Sequence, residues 1–532
     1  MADNETSIKK PPFYIRWFFP ILVLLGLAGG AAALWVPSNT SWLRQSGLSG
    51  EAEQKSISDL RLHFLYITGG IIAILTLLQT SWKNQVDRRK VEDDIQKNKN
   101  DHIRQVHAER RSRYTKAVEQ LANEKASVRL GGIYTLVGLV DEWLADDAIK
   151  PEEAQKEGQV IINNLCAYVR APFPYVEDRK LFGEKEPETK ISEEERKNFL
   201  TKRDQFREEQ DVRNTIVKEI VNRLGIRHFE DEEVIVEEGL WSDFTYDFSQ
   251  AYFPYKVNLD DSIINSQLLF SGAVFSKTVS FNNSTFKNYV SFKDAIFEKD
   301  SLHTSFPGEK SVSFNLAIFE GFVSFEGSAF EDSASYALAT FKETALFKDA
   351  VFKSSISFIG STFEKSTSFS DTTFKYRTLF NSTKFKDSAY FLDTTFEDTV
   401  IFDDAIFKYP PSFIRTIFKG STYFVETIFK ESLDFNRVIF YGPIKFIEKI
   451  SSQQKLQFMS FSSQTRFSYQ NPPDKYEFKM STDNTLFETE QITVADGRVF
   501  TVPAGCELFD PEPLPAPKPE EPTAVSYTHL TL

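Results

Sequence analysis

Cysteine is almost missing from this chain: two in 532 residues, Cys166 and Cys506, far apart and outside any CxxC. That excludes a disulfide framework and a zinc knuckle, and it suits a reducing compartment. Excess positive charge is missing too. Lys plus Arg number 62 against 76 Asp plus Glu, a formal net charge of -14, which argues against nucleic acid as a partner. The six histidines form no metal cluster. His102 and His107 are five apart, off the i, i+4 spacing of a shared helix face, and His63, His228, His303 and His529 are isolated. GxGxxG, the P-loop, GxSxG and HExxH are all lacking. Acidic pairs such as Asp403-Asp404 and Glu397-Asp398 sit among turn residues, where carboxylates are simply solvated. The expectation is a protein that is not an enzyme, with no catalytic, cofactor-binding or metal-binding residue.

What is there begins with two uncharged apolar runs. Residues 17–36, WFFPILVLLGLAGGAAALWV, are bracketed by Trp17 and Trp35. Residues 64–82, FLYITGGIIAILTLLQTSW, end on Trp82. Twenty helical residues cover about 30 Å, the thickness of a bilayer core, and Trp suits its interface. A cleaved signal peptide is the alternative for the first run, given Ala31 to Ala33. Lys9, Lys10 and Arg16 precede the first run, and Lys83, Arg88, Arg89 and Lys90 follow the second. The positive-inside rule then predicts a hairpin in the lipid bilayer with both termini cytoplasmic.

Residues 83–113 are highly charged, with no sustained apolar stripe, and read as a solvated helix or linker. Helical periodicity follows over 114–228. It shows in Tyr114, Ala117, Val118 and Leu121, in Ile133, Leu136, Val137 and Val140, and in Ile161, Leu165, Tyr168 and Val169. Ile216, Ile220 and Leu224 end it before Gly225. A small all-α module is expected, interrupted by a mobile excursion over 177–212, where Glu, Lys and Arg dominate. Arg113, Lys116, Glu119, Gln120 and Arg129 crowd one short stretch of it. They are either a salt-bridged helix pair or a candidate docking surface for another protein.

The strongest pattern is phenylalanine, 51 in all against 3 Met. Phe270, Phe275, Phe281, Phe286, Phe292 and Phe297 fall at alternating steps of five and six. The count passes His303 and Gly308 without losing phase and resumes at Phe314, Phe319, Phe325 and Phe330, then Tyr336. It continues through Phe341, Phe347, Phe352, Phe358, Phe363, Phe369, Phe374 and Phe380. Phe385, Phe391, Phe396, Phe402, Phe407 and Phe413 carry it on to Phe418, Phe424, Phe429, Phe435, Phe440 and Phe446. Backwards it reaches Ile264, Leu259, Phe253 and Phe248. On a helix such steps scatter the rings over several faces. In one straight strand a step of five flips the ring to the other face. A chain that turns a corner every five or six residues keeps every ring inside. The residue two before each ring is small or β-branched (Ala273, Val279, Ser284, Val290, Ala295), and the corners are polar. The prediction is a β-solenoid around a stacked phenylalanine core.

The A-x-F and S-x-F units resemble pentapeptide repeats, in a Phe-rich variant with eleven-residue double repeats. The resemblance implies a right-handed, four-sided β-helix, and hence a multi-domain chain: membrane hairpin, all-α module, then solenoid. One coil would be 22 residues, so that 248–446 holds nine coils in a rod of roughly 43 Å. RYTKAVEQLANEKASVRLGGIYTL, 113–136, is similar to a stretch found in bacterial membrane pentapeptide-repeat proteins, although Leu121-Ala122 stands where an LG is common. That implies the bacterial inner membrane.

Residues 229–247 are expected to lead into the solenoid and 447–509 to cap it or extend it as a small β unit. Residues 510–524 are a Pro- and Glu-rich tail. The last eight residues, VSYTHLTL, match a translated sequencing adapter, so 525–532 are expected to be an artefact of the assembled gene. The function expected is a non-catalytic, membrane-anchored scaffold for an unidentified protein partner. Self-association as a mechanical or assembly element is the alternative. A DNA-mimicking topoisomerase regulator needs an acidic rod, and 270–446 hold 21 Asp plus Glu against 19 Lys plus Arg.

Overall fold

The computed structural model describes residues 12–39, 50–178, 182, 192–230, 233–299, 312–431, 433–447, 459–461, 464–479 and 489–511. They fall into two compact units, Met1–Arg110 and Arg111–Leu532.

The first unit holds α1 (Phe13–Arg16), α2 (Phe18–Asn39) and most of α3 (Gly50–Leu121). Two stretches are long and apolar enough to cross a membrane: α2, with mean hydropathy 2.1, and a window of α3, with 1.7. They overlie the apolar runs at 17–36 and 64–82. At Gly29 the two helices approach so closely that a Cβ would collide with Thr68, so the crossing needs glycine.

In the second unit the last turns of α3 pack with α4 (Ala126–Leu144), α5 (Pro151–Arg170) and α6 (Glu193–Val221). Helix α6 corrects part of the expected excursion over 177–212. Its charge is real, but Phe206, Val212, Ile216 and Ile220 give it a buried face. Ser192 starts it with a capping box: its hydroxyl accepts from the Glu195 N–H at 3.2 Å, and the Glu195 carboxylate accepts from the Ser192 N–H at 2.9 Å. A hairpin of β1 (Gly225–Glu230) and β2 (Glu233–Glu238) then leads to the solenoid.

The solenoid has four parallel sides. They start at Tyr246–Asp247 (side 1), Tyr252–Phe253 (side 2), Val257–Asn258 (side 3) and Ile263–Ile264 (side 4). Each strand pairs with the one a coil later, in most coils 22 residues on, as Phe253 with Phe275 and Phe341 with Phe363. Every ring in the phenylalanine series from 270 to 446 is buried. Rings of successive coils stack nearly parallel, as Phe292 on Phe325 at 4.9 Å and Phe358 on Phe380 at 5.0 Å. Rings from the opposite sides 1 and 3 meet edge to face, as Phe369 and Phe380 at 5.5 Å. Such pairs add about 0.5–1.5 kcal/mol each beyond burial.

The five/six alternation reflects two kinds of corner. After sides 1 and 3 the chain makes a tight turn, in which the Phe carbonyl accepts from the N–H three residues on, as Ala273 to Phe270 at 3.0 Å. The third residue of that turn has positive φ: Gly272 at 65°, Asn283 at 55°, Asp294 at 55°. Glycine, Asn and Asp suit it, as in a type II turn. After sides 2 and 4 the chain bends through one residue more, with no positive φ.

One expectation is corrected. The phase of the count survives His303 and Gly308, but the described ladder does not keep its 22-residue step there. Those two lie outside the described residues, among which Val279 pairs with Val312, Phe286 with Phe319 and Phe297 with Phe330, a step of 33. The extra eleven residues of that step equal one period, so the count of rings stays in phase.

The sheets also run past Phe446. Side 2 continues through Arg466–Ser468 and Glu507–Phe509, and side 3 through Glu477–Lys479. A hairpin of Thr489–Thr493 and Val499–Pro503 buries Phe500 and Val502 in the same core. The tail beyond 511, including 525–532, lies outside the described residues.

Candidate functional site

Sequence singles out the stretch containing Arg113, Lys116, Glu119, Gln120 and Arg129. The structure divides these residues by use. Arg113 forms a two-pronged bond to Glu142 of α4, at 2.9 and 2.8 Å. Arg129 donates to the carbonyls of Asn123 and Glu124 at 3.0 and 2.8 Å, fixing the α3–α4 turn, and lies 3.4 Å from Glu209. Gln120 packs at Gly132, where α3 and α4 are so close that a Cβ would sit 2.8 Å from the Ala117 carbonyl. Lys116 and Glu119 alone are exposed.

A second polar centre is marked in sequence only by the i, i+4 spacing of Glu209 and Arg213. Arg213 is almost fully buried, with Glu209 at 2.6 Å. Its guanidinium also donates to the carbonyls of Val169, Ala171 and Pro172 at 2.9, 2.7 and 3.0 Å. It thereby satisfies orphan carbonyls at the end of α5, where the helix dipole favours a cation. The Tyr168 hydroxyl joins Glu209 at 3.1 Å; burial, and then the Glu209 charge, pushes its pKa up to about 12. The arrangement is a strut rather than a reaction centre, because its donors are spent on backbone carbonyls.

A third group ties the helices to the first coil. Asp141 of α4 accepts from Trp241 Nε1 at 2.8 Å and from Arg223 at 3.0 Å, and Arg223 lies over the Trp241 ring at 4.9 Å. The Gln159 side chain makes both bonds to the Thr245 backbone, at 2.8 and 2.9 Å. Arg170 pairs with Asp247. The N–H groups of Ile263 and Asn265 on side 4 donate to the carbonyls of Leu224 and Ser242 at 2.9 and 2.8 Å. The first side-4 strand is thus capped by the module. One buried core runs from Ala117 to Cys506.

The chemistry of these groups is inert. Burial pushes the Cys166 thiol up to about 12, and burial helped by Glu490 does the same for Cys506, so neither offers a thiolate. Among the described residues no group of three or more His, Cys, Asp or Glu could hold a metal ion. Outside the rod, charges form ladders one coil apart: Lys342 on Glu320 at 2.7 Å, Lys386 on Glu364 at 2.9 Å, Lys419 on Glu397 at 3.1 Å.

No curated protein and no solved structure matches the chain. Residues 259–301 match the family described as Pentapeptide repeats (9 copies). That segment covers the first coils of a solenoid whose ring stacking and 22-residue register continue to Phe440, so the chain is a pentapeptide-repeat protein.

Proposed function

We propose that this protein is a non-catalytic interaction scaffold, anchored by its two apolar helices in a bacterial inner membrane with both termini cytoplasmic. The observation that carries the reading is the continuous core joining the α-module to the rod. A partner held on the module is thereby fixed in orientation to every side of the solenoid, which is what a presenting scaffold requires. The residues for docking are Lys116 and Glu119, exposed beside the internally used Arg113 and Arg129. The paired charge ladders speak against a DNA-mimicking rod, whose acidic face needs unpaired carboxylates.

The test is crosslinking in native membranes, comparing the wild-type chain with Lys116→Glu/Glu119→Lys. Deleting 113–136 is unsuitable, because it removes the core residues Ala117, Ile133 and Leu136. A partner captured by the wild type and lost from the variant supports docking at the module. Partners captured equally by both place docking elsewhere and overturn that assignment.

A further inference from the structure

The four outer faces of the rod differ. At the central outward position, sides 1 and 3 mix serine, such as Ser291 and Ser324 or Ser313 and Ser335, with larger residues such as Leu346 and Leu379, and they carry charge at Asp247 and Lys445. Side 4 is broken by Lys384. Side 2 carries no charge there through nine successive strands, from Tyr252 through Val274, Ile296 and Val351 to Ile417 and Ile439. Its first residue is already used for docking: Tyr252 meets Phe173 edge to face at 5.5 Å, within the aromatic cluster of Phe173, Phe182 and Phe206. The rest of side 2 continues that contact face.

The rims of side 2 indicate what covers it. The tight-turn corners leading onto it carry Asp349, Asp371 and Asp393 in successive coils, then Arg415 and Arg437. Three stacked carboxylates repel one another, and only Asp393 is compensated within the column, by Arg415 at 2.6 Å. On the opposite rim only the pair nearest that change follows suit, Glu397 against Lys419, because Lys353 and Lys375 precede Glu397. The line at which the first rim inverts, and the nearest pair of the second with it, lies between the strands Thr395–Phe396 and Ile417–Phe418. A surface whose charge inverts across one line is complementary to itself after a two-fold rotation about that line.

We propose that the outer face of side 2, from Thr373 to Ile439, docks a second copy of this chain, antiparallel, about a two-fold axis between Thr395 and Ile417. Asp371 of each copy then faces Arg437 of the other, Asp393 faces Arg415, and Glu397 faces Lys419. One coil further out on that rim, Lys375 meets the uncharged Tyr441. Thr395 packs on Ile417 across the axis. The apolar strip is four strands, about 20 Å by 13 Å. That is well under the ~800 Å² per partner of a standard interface, so the dimer is a weak, reversible one. The inference is independent of the scaffold reading and of any docking at Lys116 and Glu119.

The experiment uses the full chain in detergent, in two differently tagged copies, one Thr395→Cys and the other Ile417→Cys. The native thiols, Cys166 and Cys506, are buried and do not compete. Oxidation should give a mixed crosslink at least tenfold above a control pair on side 3, Leu379→Cys with Ile401→Cys, whose side chains are as accessible as Thr395 and Ile417. Adding Asp371→Arg/Asp393→Arg to both copies should cut the yield at least tenfold, and adding Arg415→Asp/Arg437→Asp as well should restore it. Equal yields on sides 2 and 3, no crosslink on side 2, or loss without restoration would each overturn the proposal.

Discussion

The α-module and the solenoid form one body but are held together in opposite ways. The module depends on singular contacts between residues far apart in sequence, such as Arg213 with the carbonyls of Val169, Ala171 and Pro172. The solenoid repeats one contact set every 22 residues, so each coil touches only its neighbours. A defect in the module should therefore be felt as a whole, and one in the solenoid locally.

The largest break in that comparison is Arg213→Leu, which takes from Glu209 its closest partner, leaving it Arg129 and Tyr168, and strands three carbonyls; a loss of about 3–5 kcal/mol is expected. Denaturant unfolding read at Trp241 should show it. Phe358→Ala opens a cavity between the two rings stacked on Phe358, Tyr336 one coil earlier and Phe380 one coil later, and should cost about 3–5 kcal/mol as well. Its enhanced hydrogen exchange should be confined to the adjoining coils and should spare α4 and α5.

Smaller changes sharpen the picture within the solenoid. In later coils the small residue of the tight turn is threonine, and its hydroxyl donates to the phenylalanine carbonyl one coil earlier: Thr394 to Phe369 at 2.7 Å, Thr416 to Phe391 at 2.6 Å. Elsewhere alanine does without this bond, as at Ala350 and Ala405. Thr394→Val should cost about 1 kcal/mol, read as a lower urea midpoint. Tyr336→Phe should instead stabilise by about 1 kcal/mol. Its buried hydroxyl has no hydrogen-bond partner among the described residues, and the ring already stacks on Phe314 at 4.8 Å. Leu338→Gly should gain a few tenths of a kcal/mol to about 1 kcal/mol, because Leu338 is exposed and holds φ at 59°.

The same contrast decides what sequence could reveal. Repetition writes itself into the chain, so the inward rings, the small residue two before each, and the solenoid were all legible. The two corner types were legible as well, had the Gly272, Asn283 and Asp294 series been separated from the looser corners. The 33-residue step was hidden because its extra eleven residues equal the repeat; only the replacement of rings by His303 and Gly308 marked it. The Ser192–Glu195 capping box was a readable signal for α6, overshadowed by the charge around it. Arg213 was readable only in part: its i, i+4 spacing from Glu209 is local, but the carbonyls it binds lie more than forty residues away and no local spacing encodes them. Of the five candidate docking residues, sequence identified the stretch but could not separate the braces Arg113 and Arg129 from the exposed Lys116 and Glu119.

Whether module and rod are a single cooperative body is tested most directly by native-state hydrogen exchange of the full chain. The amides to follow are those of Ile263, which donates to the module carbonyl of Leu224, and of Asn265, which donates to Ser242 in the lead-in, itself bonded to Leu224. In one cooperative body they exchange as slowly as the buried amides of α4 and α5, with the same denaturant dependence, and that is the expected result. Fast exchange of these two amides while α4 stays protected would contradict it, and would make the module and the solenoid separate units.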